Sequence, residues 1–515
     1  MIPSKTIKAF IEQPRRDLRD FKKLTRKDLE DEIDKLPIDP PIWEKLSFRQ
    51  KVCFVIGAKF RRFAAFLDTG EGKTLLSIAL IRYCYRAKYG NKALVLVPYK
   101  VNKNEWREEI LKHSPKTTYL VLSETSDLKW RDIEENDDVI IVIETYAGLA
   151  RLVSEKVYSK KHKRTVLKPS YELVKKLVNT FDMLVMDESN AVANHMTLPF
   201  RVCRQLSKKA GLVLALTGTP FGRNPMALWG QMFIVDFGQS LGKTLGVFRA
   251  TFFKESVNYW GGIDYKFDRK KMPLLHKMLA HSAIRYEADK RKMPEAVEIT
   301  KYVTLPGDAQ TYYDRAKETI ISAHGNYKEM QNAFIRMRQI SSGFIGYEDD
   351  ESGESAKFVF DEKPKLELLL STIESLSHKA VIFHDFVFSG QLIHKELKRM
   401  KIKHISLPNV KDSESVSKMF ADDPDSHLVM STAGAYGLNL QPAKYLLLYE
   451  RPVPVILYTQ VRRRVERQYS PHDIVYLYDF VTRNTTDEKI IEFHKEGKSL
   501  FEGIINGQVS PKIFL

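Results

Sequence analysis

Two long regions of the chain alternate short apolar runs with segments of helical periodicity. The first covers residues 46–225 and the second about 360–482. This alternation is typical of parallel sheets whose strands are connected by helices. The sequence therefore predicts an α/β fold with two parallel-sheet lobes. The candidate strands lie at residues 62–67, 92–98, 138–144, 181–187, 212–218, 379–386, 401–407, 426–432, 444–450 and 473–480.

The stretch between the two regions is helical in pattern and mixed in charge. It is more than a hundred residues long and ends near an acidic segment, GYEDDESGE, that is typical of an exposed loop. We therefore expect five parts along the chain. They are an N-terminal charged segment at 1–45, a first lobe at 46–225, helical insertions and a linker at 226–358, a second lobe at 359–482 and a C-terminal tail at 483–515.

The charge balance favours a polyanionic partner. Lysine and arginine total 82 against 65 acidic residues, which gives the 515-residue chain a net charge of +17. Such an excess favours nucleic acid through counterion release, although a basic surface without a dedicated partner is the alternative. Six basic residues and a single acid fall within residues 154–170, which we interpret as a basic loop. The six are Lys156, Lys160, Lys161, Lys163, Arg164 and Lys168.

Several classes of protein are disfavoured by composition. The three cysteines form no C-x-x-C pair, so neither a disulfide framework nor a zinc cluster is expected. No apolar run approaches the roughly 18 residues that a membrane span needs, and the N-terminus has no apolar signal region. We expect a cytoplasmic protein without a membrane partner.

Residues 66–74, FLDTGEGKT, end like a phosphate-binding loop, although Leu67 replaces the first glycine of the general pattern. Glycines let the backbone approach phosphates, and the following helix N-terminus offers N–H groups to them. Lys73 would reach the β- and γ-phosphates, and the Thr74 hydroxyl would hold Mg²⁺. The sequence thus predicts ATP and Mg²⁺ as cofactors. The loop residues expected at the nucleotide are Thr69, Gly70, Glu71, Gly72, Lys73 and Thr74.

An adjacent pair of carboxylates follows the apolar run at 181–187. A phosphate-binding loop needs an acid at a strand end to hold Mg²⁺ and a second acid to orient or deprotonate the attacking water. Asp187 suits the first role and Glu188 the second. A solvated turn is the alternative, and the preceding apolar run disfavours it.

Further segments follow one another in a fixed order along the chain. They are LSFRQ (46–50), LDTGEGKT (67–74), LVLVPYKVNKNEW (94–106), ETYAGL (144–149), DESNAVAN (187–194), LTGTPFGRNPMALWGQMFIVD (216–236), RMRQI (336–340), STAGAYGLNLQPAKYLLLYE (431–450), QVRRRVERQ (460–468) and TTDEKI (485–490). In these segments the chain resembles the superfamily-two helicases, and specifically the Swi/Snf-type DNA translocases in a compact bacterial or bacteriophage-like form. The resemblance covers nearly everything from Leu46 to Lys489.

The resemblance implies two RecA-like lobes with helical insertions between them, and it implies roles for individual residues. Catalysis is implied for Lys73, Asp187, Glu188, Arg464 and Arg467. Adenine recognition is implied for Gln50, proximity to the ribose for Gly437, and Mg²⁺ binding for Thr74 and Asp187. DNA-backbone contacts are implied for Lys100, Thr145, Ser431 and Thr432, with Lys160, Lys161, Lys163 and Arg164 adding electrostatic attraction. Coupling between motifs is implied for Asn190, Thr217, Thr219 and Gln460.

Two features of these motifs lead to structural expectations. Arg464 and Arg467 are three residues apart, so a helix would place both on one face, from which they could stabilise γ-phosphoryl charge. Asn190 stands where the family's D-E-A-H motif has histidine, so coupling between the acid pair and residues 216–236 is expected to run through an amide.

These expectations together describe an ATP-driven motor on double-stranded DNA that does not separate the strands. Branched DNA is a further candidate substrate. The alternative enzyme is a strand-separating helicase on DNA or RNA. The alternative of another class is a non-catalytic nucleic-acid-binding scaffold.

Overall fold

The computed structural model describes residues 2–37, 40–68, 70–123, 129–159, 164–221, 225–257, 262–287, 293–323, 326–348, 355–407, 413–432, 438, 440–467, 470–497, 500 and 513. The chain divides into two compact units. Unit 1 comprises Met1–Lys254 and Tyr265–Ala288, and unit 2 comprises Glu255–Asp264 and Asp289–Leu515. None of the helices in these ranges has both the length and the apolar character needed to cross a bilayer.

The helices and strands are numbered in chain order. The helices are α1 Ser4–Glu12, α2 Arg26–Ile33, α3 Pro40–Lys45, α4 Phe48–Phe60, α5 Lys73–Arg86, α6 Lys100–His113, α7 Lys129–Glu134, α8 Tyr146–Leu152, α9 Tyr171–Thr180, α10 Leu198–Ser207, α11 Leu228–Asp236, α12 Leu245–Phe252, α13 Met272–Leu279, α14 Gly307–Ser322, α15 Tyr327–Ser341, α16 Pro364–Glu374, α17 Val387–Arg399, α18 Ser413–Asp422, α19 Val455–Val465 and α20 Thr486–Lys495. The strands are β1 Arg62–Leu67, β2 Ala93–Val97, β3 Tyr119–Val121, β4 Ile141–Thr145, β5 Ser154–Ser159, β6 Arg164–Pro169, β7 Met183–Asp187, β8 Leu212–Leu216, β9 Phe253–Val257, β10 Ile263–Phe267, β11 Ala283–Tyr286, β12 Glu295–Val303, β13 Phe344–Glu348, β14 Ser355–Val359, β15 Ala380–Phe383, β16 His404–Ser406, β17 His427–Met430, β18 Tyr445–Leu448 and β19 Ile474–Thr482.

Unit 1 is built on a seven-stranded parallel sheet in the order β11-β1-β8-β7-β2-β4-β3. The five apolar runs predicted in this lobe form β1, β2, β4, β7 and β8. In these strands nearly every side chain is buried on both faces of the sheet, which is why their sequences read as continuous apolar runs. Because β1, β8 and β7 are neighbours, their carboxyl ends lie side by side at one edge of the sheet.

Unit 2 contains a six-stranded parallel sheet in the order β12-β19-β18-β15-β17-β16. The five predicted runs form β15 to β19. The α/β prediction with two parallel-sheet lobes is confirmed. Outside the sheet, α14, α15 and α20 share an apolar core that includes Tyr313, Phe334 and Ile490.

The stretch at 226–358 differs from the predicted helical insertion and linker. It contributes β11 to the sheet of unit 1 and β12 to the sheet of unit 2, and it also contains β9, β10, β13 and β14. The short β11 has only four residues. The edge strand β12 alternates exposed and half-buried side chains, so its sequence, EAVEITKYV, lacks the apolar run of a central strand.

The predicted basic loop at 154–170 is an antiparallel hairpin of β5 and β6 instead. Glu155 lies opposite Lys168. Cross-strand pairs of opposite charge stabilise such hairpins, and the loop interpretation gave weight to the lysines rather than to the β-branched and aromatic residues of the same segment. Lys160, Lys161 and Lys163 lie outside the described residues, as does the Arg164 side chain.

The N-terminal segment packs against unit 1. Leu18 and Leu29 are 1% exposed and belong to the core beneath the sheet. The Leu18 N–H donates to the Ala280 carbonyl at 2.7 Å. The Arg16 N–H donates to Nδ1 of His281 at 3.2 Å, and Nε2 of the same imidazole lies 2.8 Å from the Gln239 Oε1. The segment predicted as a charged N-terminal part is therefore integrated into the first lobe.

This contact makes the packing of the N-terminal segment sensitive to acid. Burial, with the nearby Arg16 and Arg15 charges, lowers the pKa of His281 from 6.5 to about 4. Because the unfolded chain takes up this proton first, the stabilisation is complete above pH 6.5 and is lost as the pH falls towards 4. We expect wild type to lose more stability than His281→Gln between about pH 7 and about pH 5, measured by urea unfolding. Equal losses in both proteins would contradict this reading.

Candidate functional site

The phosphate-binding loop connects the end of β1 to the start of α5. Leu67 is fully buried as the last residue of β1, so the position where the general pattern has glycine belongs to the strand rather than to the turn. Gly70 and Gly72 have φ of 89° and 71°, in the left-handed region that glycine adopts at little cost. Gly72 is the residue before α5, which begins at Lys73. Thr69 lies outside the described residues.

Gln50 braces this loop from α4. Its side-chain Oε1 accepts a hydrogen bond from the Ser47 N–H at 2.7 Å, and its Nε2 donates to the Gly72 carbonyl at 2.8 Å. A Cβ atom at Gly72 would lie 2.2 Å from Gln50 Nε2, so this contact also requires glycine there. The Gln50 oxygen thus caps the start of α4 while its nitrogen holds the loop, and adenine recognition by Gln50 stays a prediction.

A chain of polar contacts joins the ends of three elements of the sheet. The Lys73 Nζ lies 3.1 Å from Oε1 of Glu188, and the Thr217 hydroxyl donates to Oε2 of the same carboxylate at 2.7 Å. The Thr219 N–H donates in turn to the Thr217 hydroxyl at 3.1 Å. Lys73, Glu188 and Thr217 follow β1, β7 and β8, whose carboxyl ends are adjacent. The sequence motifs predicted at separate positions thus meet within hydrogen-bond distance.

Asp187 lies behind this chain as a buried carboxylate. Its Oδ2 accepts a hydrogen bond from the Trp106 indole at 3.0 Å, and the Tyr146 hydroxyl donates to its backbone carbonyl at 2.9 Å. Burial raises the pKa of Asp187, and the neighbouring Glu188 charge raises it further, while Lys73 and the Trp106 bond oppose the shift. Among the described residues, the polar contacts of this site join two carboxylates, of Asp187 and Glu188, and one ammonium, of Lys73.

A divalent cation fits this imbalance. Mg²⁺ is commonly held by one or two side chains together with phosphate oxygens and water. Asp187 supplies a carboxylate and Thr74, in the first turn of α5, supplies a hydroxyl. Among the described residues no group of three or more histidine, cysteine or acidic side chains could hold a metal by itself. The donor set therefore suits a cation that arrives with a phosphate group.

Beside the Thr217–Glu188 bond, a second link joins Ser189, the residue after the acid pair, to the segment after β8. It runs through Gln231, which the sequence analysis did not single out. The Ser189 hydroxyl donates to Gln231 Oε1 at 2.8 Å, and Gln231 Nε2 donates to the Pro220 carbonyl at 2.8 Å. Gln231 is fully buried in α11. Asn190, the amide expected to make this link, has a backbone bond to Ala193 and no side-chain hydrogen bond to the residues that the structure describes. A buried polar residue in an otherwise apolar helix was the available signal.

The residues predicted to contact a DNA backbone differ in exposure and in position. Lys100 is exposed at the start of α6. Thr145 is 3% exposed and caps α8, since its hydroxyl accepts the Gly148 N–H at 2.8 Å. In unit 2, Ser431 and Thr432 directly follow β17. Their contacts with DNA stay predictions.

The arginine-rich segment of unit 2 differs from the predicted geometry. Helix α19 ends at Val465, so Arg464 lies in its last turn and Arg467 lies beyond it rather than on the same helical face. Glu466 ends the helix with ψ of 78°, and its carboxylate accepts the Arg462 Nε–H at 2.5 Å. Arg462 also pairs with Glu298 of β12 and thereby anchors the helix to the sheet.

Gln460, on the same helix, has an amide that is buried without a partner. The side chain is 8% exposed, and neither of its polar atoms has a hydrogen-bond partner among the described residues. Buried polar groups left unpaired cost about 1–3 kcal/mol each, so such an amide marks a place where a ligand or a rearranged side chain would be stabilising. Gly437 lies outside the described residues.

A network of buried ion pairs connects several motif segments of unit 2. Arg338 donates to Asp385 at 2.8 Å and to the Arg451 carbonyl at 3.1 Å. Arg451 is itself paired with Asp479 of β19. These contacts give RMRQI at 336–340 and RPVP at 451–454 a shared structural role, which the sequence motifs alone did not show.

The comparison with family models identifies the chain. The model of the SNF2-related domain matches residues 66–352, more than half of the 515 residues. The chain belongs to the SNF2-related family. The predicted resemblance to Swi/Snf-type ATPases of superfamily two is thereby confirmed, and the two RecA-like lobes are the parallel sheets of units 1 and 2.

Two yeast proteins are similar to the chain at low identity. It is 22% identical over 463 residues to nuclear protein STH1/NPS1 of Saccharomyces cerevisiae, covering 82% of this chain and 32% of that protein. It is 24% identical over 471 residues to the ISWI chromatin-remodeling complex ATPase ISW2 of the same yeast, covering 82% and 37%. The chain thus spans about a third of these yeast proteins.

Two further matches cover most of this chain and nearly all of the protein compared. Protein p41 of Acyrthosiphon pisum secondary endosymbiont phage 1 is 23% identical over 466 residues, covering 84% of this chain and 92% of that protein. Among solved structures, the Sulfolobus solfataricus SWI2/SNF2 ATPase core in complex with dsDNA covers 91% of this chain and 94% of its own, at 21% identity and a TM-score of 0.38.

The Gln231 link leads to a prediction for this SNF2-related ATPase. Gln231→Leu leaves Ser189 and the Pro220 carbonyl without their amide partner in a buried site. We expect it to lower kcat for ATP by about tenfold to about a hundredfold through misplacement of the acid pair, and to cost about 1–3 kcal/mol of stability.

The matched control is Asn190→Ala, which we expect to leave kcat and the melting temperature close to wild type. Steady-state phosphate release and thermal unfolding measure both quantities. A large loss of kcat in Asn190→Ala with little effect of Gln231→Leu would show that coupling runs through the amide expected from sequence.

Proposed function

We propose that this chain is an ATP-driven motor that moves along double-stranded DNA without separating the strands. The observation that carries the ATPase part of the proposal is the contact chain from Lys73 through Glu188 to Thr217, with the buried Asp187 beside it. It assembles a phosphate loop, two carboxylates and a hydroxyl at the carboxyl edge of one parallel sheet. In open α/β sheets this edge is where ligands bind.

The residues at the carboxyl edge of the sheet have separate roles in ATP hydrolysis. When bound, Mg²⁺ supplies positive charge to the β- and γ-phosphate oxygens, and Thr74 and Asp187 would hold it. Glu188 orients the attacking water and accepts its proton. The Thr217 hydroxyl holds one oxygen of this carboxylate, and Lys73 contacts the other. Trp106 and Tyr146 hold Asp187 in place from behind.

Lys73 has two competing anionic partners in this scheme. In the structure its ammonium contacts the Glu188 carboxylate at 3.1 Å. A γ-phosphate would draw the ammonium away from Glu188, and the carboxylate would then become a stronger base as its countercharge moves. Nucleotide binding thus prepares the base for the water.

Unit 2 supplies the groups that complete the reaction in this proposal. Arg464 and Arg467 stabilise the charge on the γ-phosphoryl oxygens, a contribution that is worth about 10³–10⁵ in rate where arginines act in this way. Gln460, whose buried amide has no hydrogen-bond partner among the described residues, is the proposed coupling residue of this unit. Each cycle of ATP binding and release would then move the DNA contacts of the two lobes in turn along the backbone.

Contacts to phosphates would make DNA binding tolerant of sequence and sensitive to salt. The net charge of +17 supports such binding. Lys100, Thr145, Ser431 and Thr432 are the proposed backbone contacts, and the β5–β6 hairpin adds positive charge. A strand-separating helicase would need a wedge between the strands in addition to these contacts, and branched DNA is a substrate to be tested against plain duplex.

The proposal predicts that duplex DNA stimulates phosphate release and that Lys73→Ala abolishes it. Wild type should turn over ATP faster with duplex DNA than with single-stranded DNA or RNA, because both lobes would follow the backbone of a duplex. An assay over duplex, single-stranded and branched DNA and RNA measures this. Wild type no faster than Lys73→Ala on every nucleic acid would indicate a scaffold.

Translocation and strand separation give opposite results in paired assays. We expect ATP-dependent release of a triplex-forming strand from duplex DNA, and no release of a fluorescent strand from a duplex with a single-stranded tail. The control is Glu188→Gln, which should bind DNA and release neither strand. Release of the duplex strand would identify a helicase.

The basic hairpin carries a separate prediction. Replacing Lys160, Lys161, Lys163 and Arg164 with glutamine should weaken duplex binding equally for unrelated sequences. It should also lower the salt slope of log Kd by as much as about 0.9 for each DNA phosphate that the variant no longer neutralises. A control with Lys5→Gln and Lys8→Gln removes charge from the exposed helix α1 instead. Fluorescence anisotropy at several salt concentrations measures both proteins, and equal slopes would place the DNA elsewhere.

A further inference from the structure

The phosphate-binding loop of this chain contains a carboxylate of its own. Glu71 lies between Gly70 and Gly72 and directly precedes the turn that opens α5. Its side chain is 10% exposed, so water screens its charge only in part. A negative charge within a loop that binds phosphates opposes ligand binding unless a nearby cation offsets it.

Arg49 supplies that cation from the first turn of α4. Its Nη1 lies 3.1 Å from Oε1 of Glu71, and the same nitrogen donates to the Glu287 carbonyl at 2.7 Å, just after β11. The guanidinium carbon is 5.4 Å from the centroid of the Tyr286 ring. Arg49 is therefore fixed to the loop that follows β1 and to the end of the neighbouring strand β11. Lys73 is held by a different carboxylate, Glu188.

From this geometry we infer that Arg49 and Glu71 form a charge pair that sets the affinity of the loop for nucleotide phosphates. Arg49 acts as a positioning residue, since it neutralises and orients the Glu71 carboxylate rather than serving as the reacting group. The inference rests on the proposed binding of ATP at this loop. It goes beyond that proposal because it assigns the strength of phosphate binding to a pair outside the predicted catalytic set.

The pair predicts a specific pattern in single and double variants. Arg49→Gln removes the offsetting charge and should raise KM for ATP about tenfold with little change in kcat, which corresponds to ~1.4 kcal/mol. Glu71→Gln should lower KM, since it removes the negative charge itself. The double variant should have a KM close to that of Glu71→Gln, so the second change rescues the first. Arg49→Lys should stay within about threefold of wild type because the charge is kept.

The number of ligand phosphates separates charge from packing. Repulsion by Glu71 acts on phosphate charge, so the loss of affinity in Arg49→Gln should decrease from ATP to ADP to AMP. Weaker packing against the base would weaken all three alike, and a distorted loop is recognised by a double variant that fails to regain affinity. Dissociation constants come from displacement of a fluorescent ADP analogue whose own affinity is measured for each variant.

The control variant is Lys59→Gln, on the same helix as Arg49. It breaks the ion pair with Glu32, 2.7 Å long, and should leave nucleotide affinity and its dependence on phosphate number unchanged. The inference is overturned if the double variant binds ATP as weakly as Arg49→Gln, or if Arg49→Gln weakens AMP as much as ATP.

The design also distinguishes this inference from the proposed function. If wild type hydrolyses ATP, Lys73→Ala does not, and Arg49→Gln has a normal KM, only the role of the charge pair fails. If wild type neither binds the fluorescent ADP analogue nor releases phosphate from ATP, the proposed function fails and the charge pair fails with it.

Discussion

The contact between Lys73 and Glu188 is the interaction on which the site depends. It is possible because β1, β8 and β7 are neighbours in a parallel sheet and therefore end at the same edge. Each strand is buried on both faces, so its first polar residues occur where it leaves the sheet. The hydrophobic effect that fixes the strands thus also brings an ammonium, two carboxylates and the Thr217 hydroxyl together.

Holding these groups together opposes folding stability. Asp187 and Glu188 are adjacent acids, and burial raises the pKa of Asp187. Glu188 also has φ of 48° and ψ of 62°, a left-handed conformation that costs a residue other than glycine on the order of 1–3 kcal/mol. The surrounding bonds from Trp106, Tyr146 and Thr217 hold the arrangement in place. Strain at a strand end with converging polar groups is typical of a site that is organised for a ligand before the ligand binds.

The sequence was most informative where one force decides the structure. Ten apolar runs predicted ten parallel strands, because burial on both faces leaves little choice of residue. It was less informative for the edge strand β12 and the short β11, whose pairing partners lie far away in the chain. The hairpin of β5 and β6 was interpreted as a loop because its charges were more conspicuous than its β-branched and aromatic residues.

The residues of the candidate site divide in the same way: a local sequence pattern predicted some of them, and contacts between distant segments determine the others. Lys73, Asp187 and Glu188 carry their chemistry in a local pattern of turn and strand, and the structure brings them together as expected. Gln231 carries no local pattern, since its role depends on Ser189 and Pro220 meeting around one buried amide. Arg467 was placed on a helical face by spacing, but α19 ends at Val465 and Glu466 has a non-helical ψ of 78°. Spacing gives a direction only while the helix continues. The effect of a charge in a loop likewise depends on its partner. Glu71 alone would oppose phosphate binding, and Arg49, 22 positions earlier, offsets its charge.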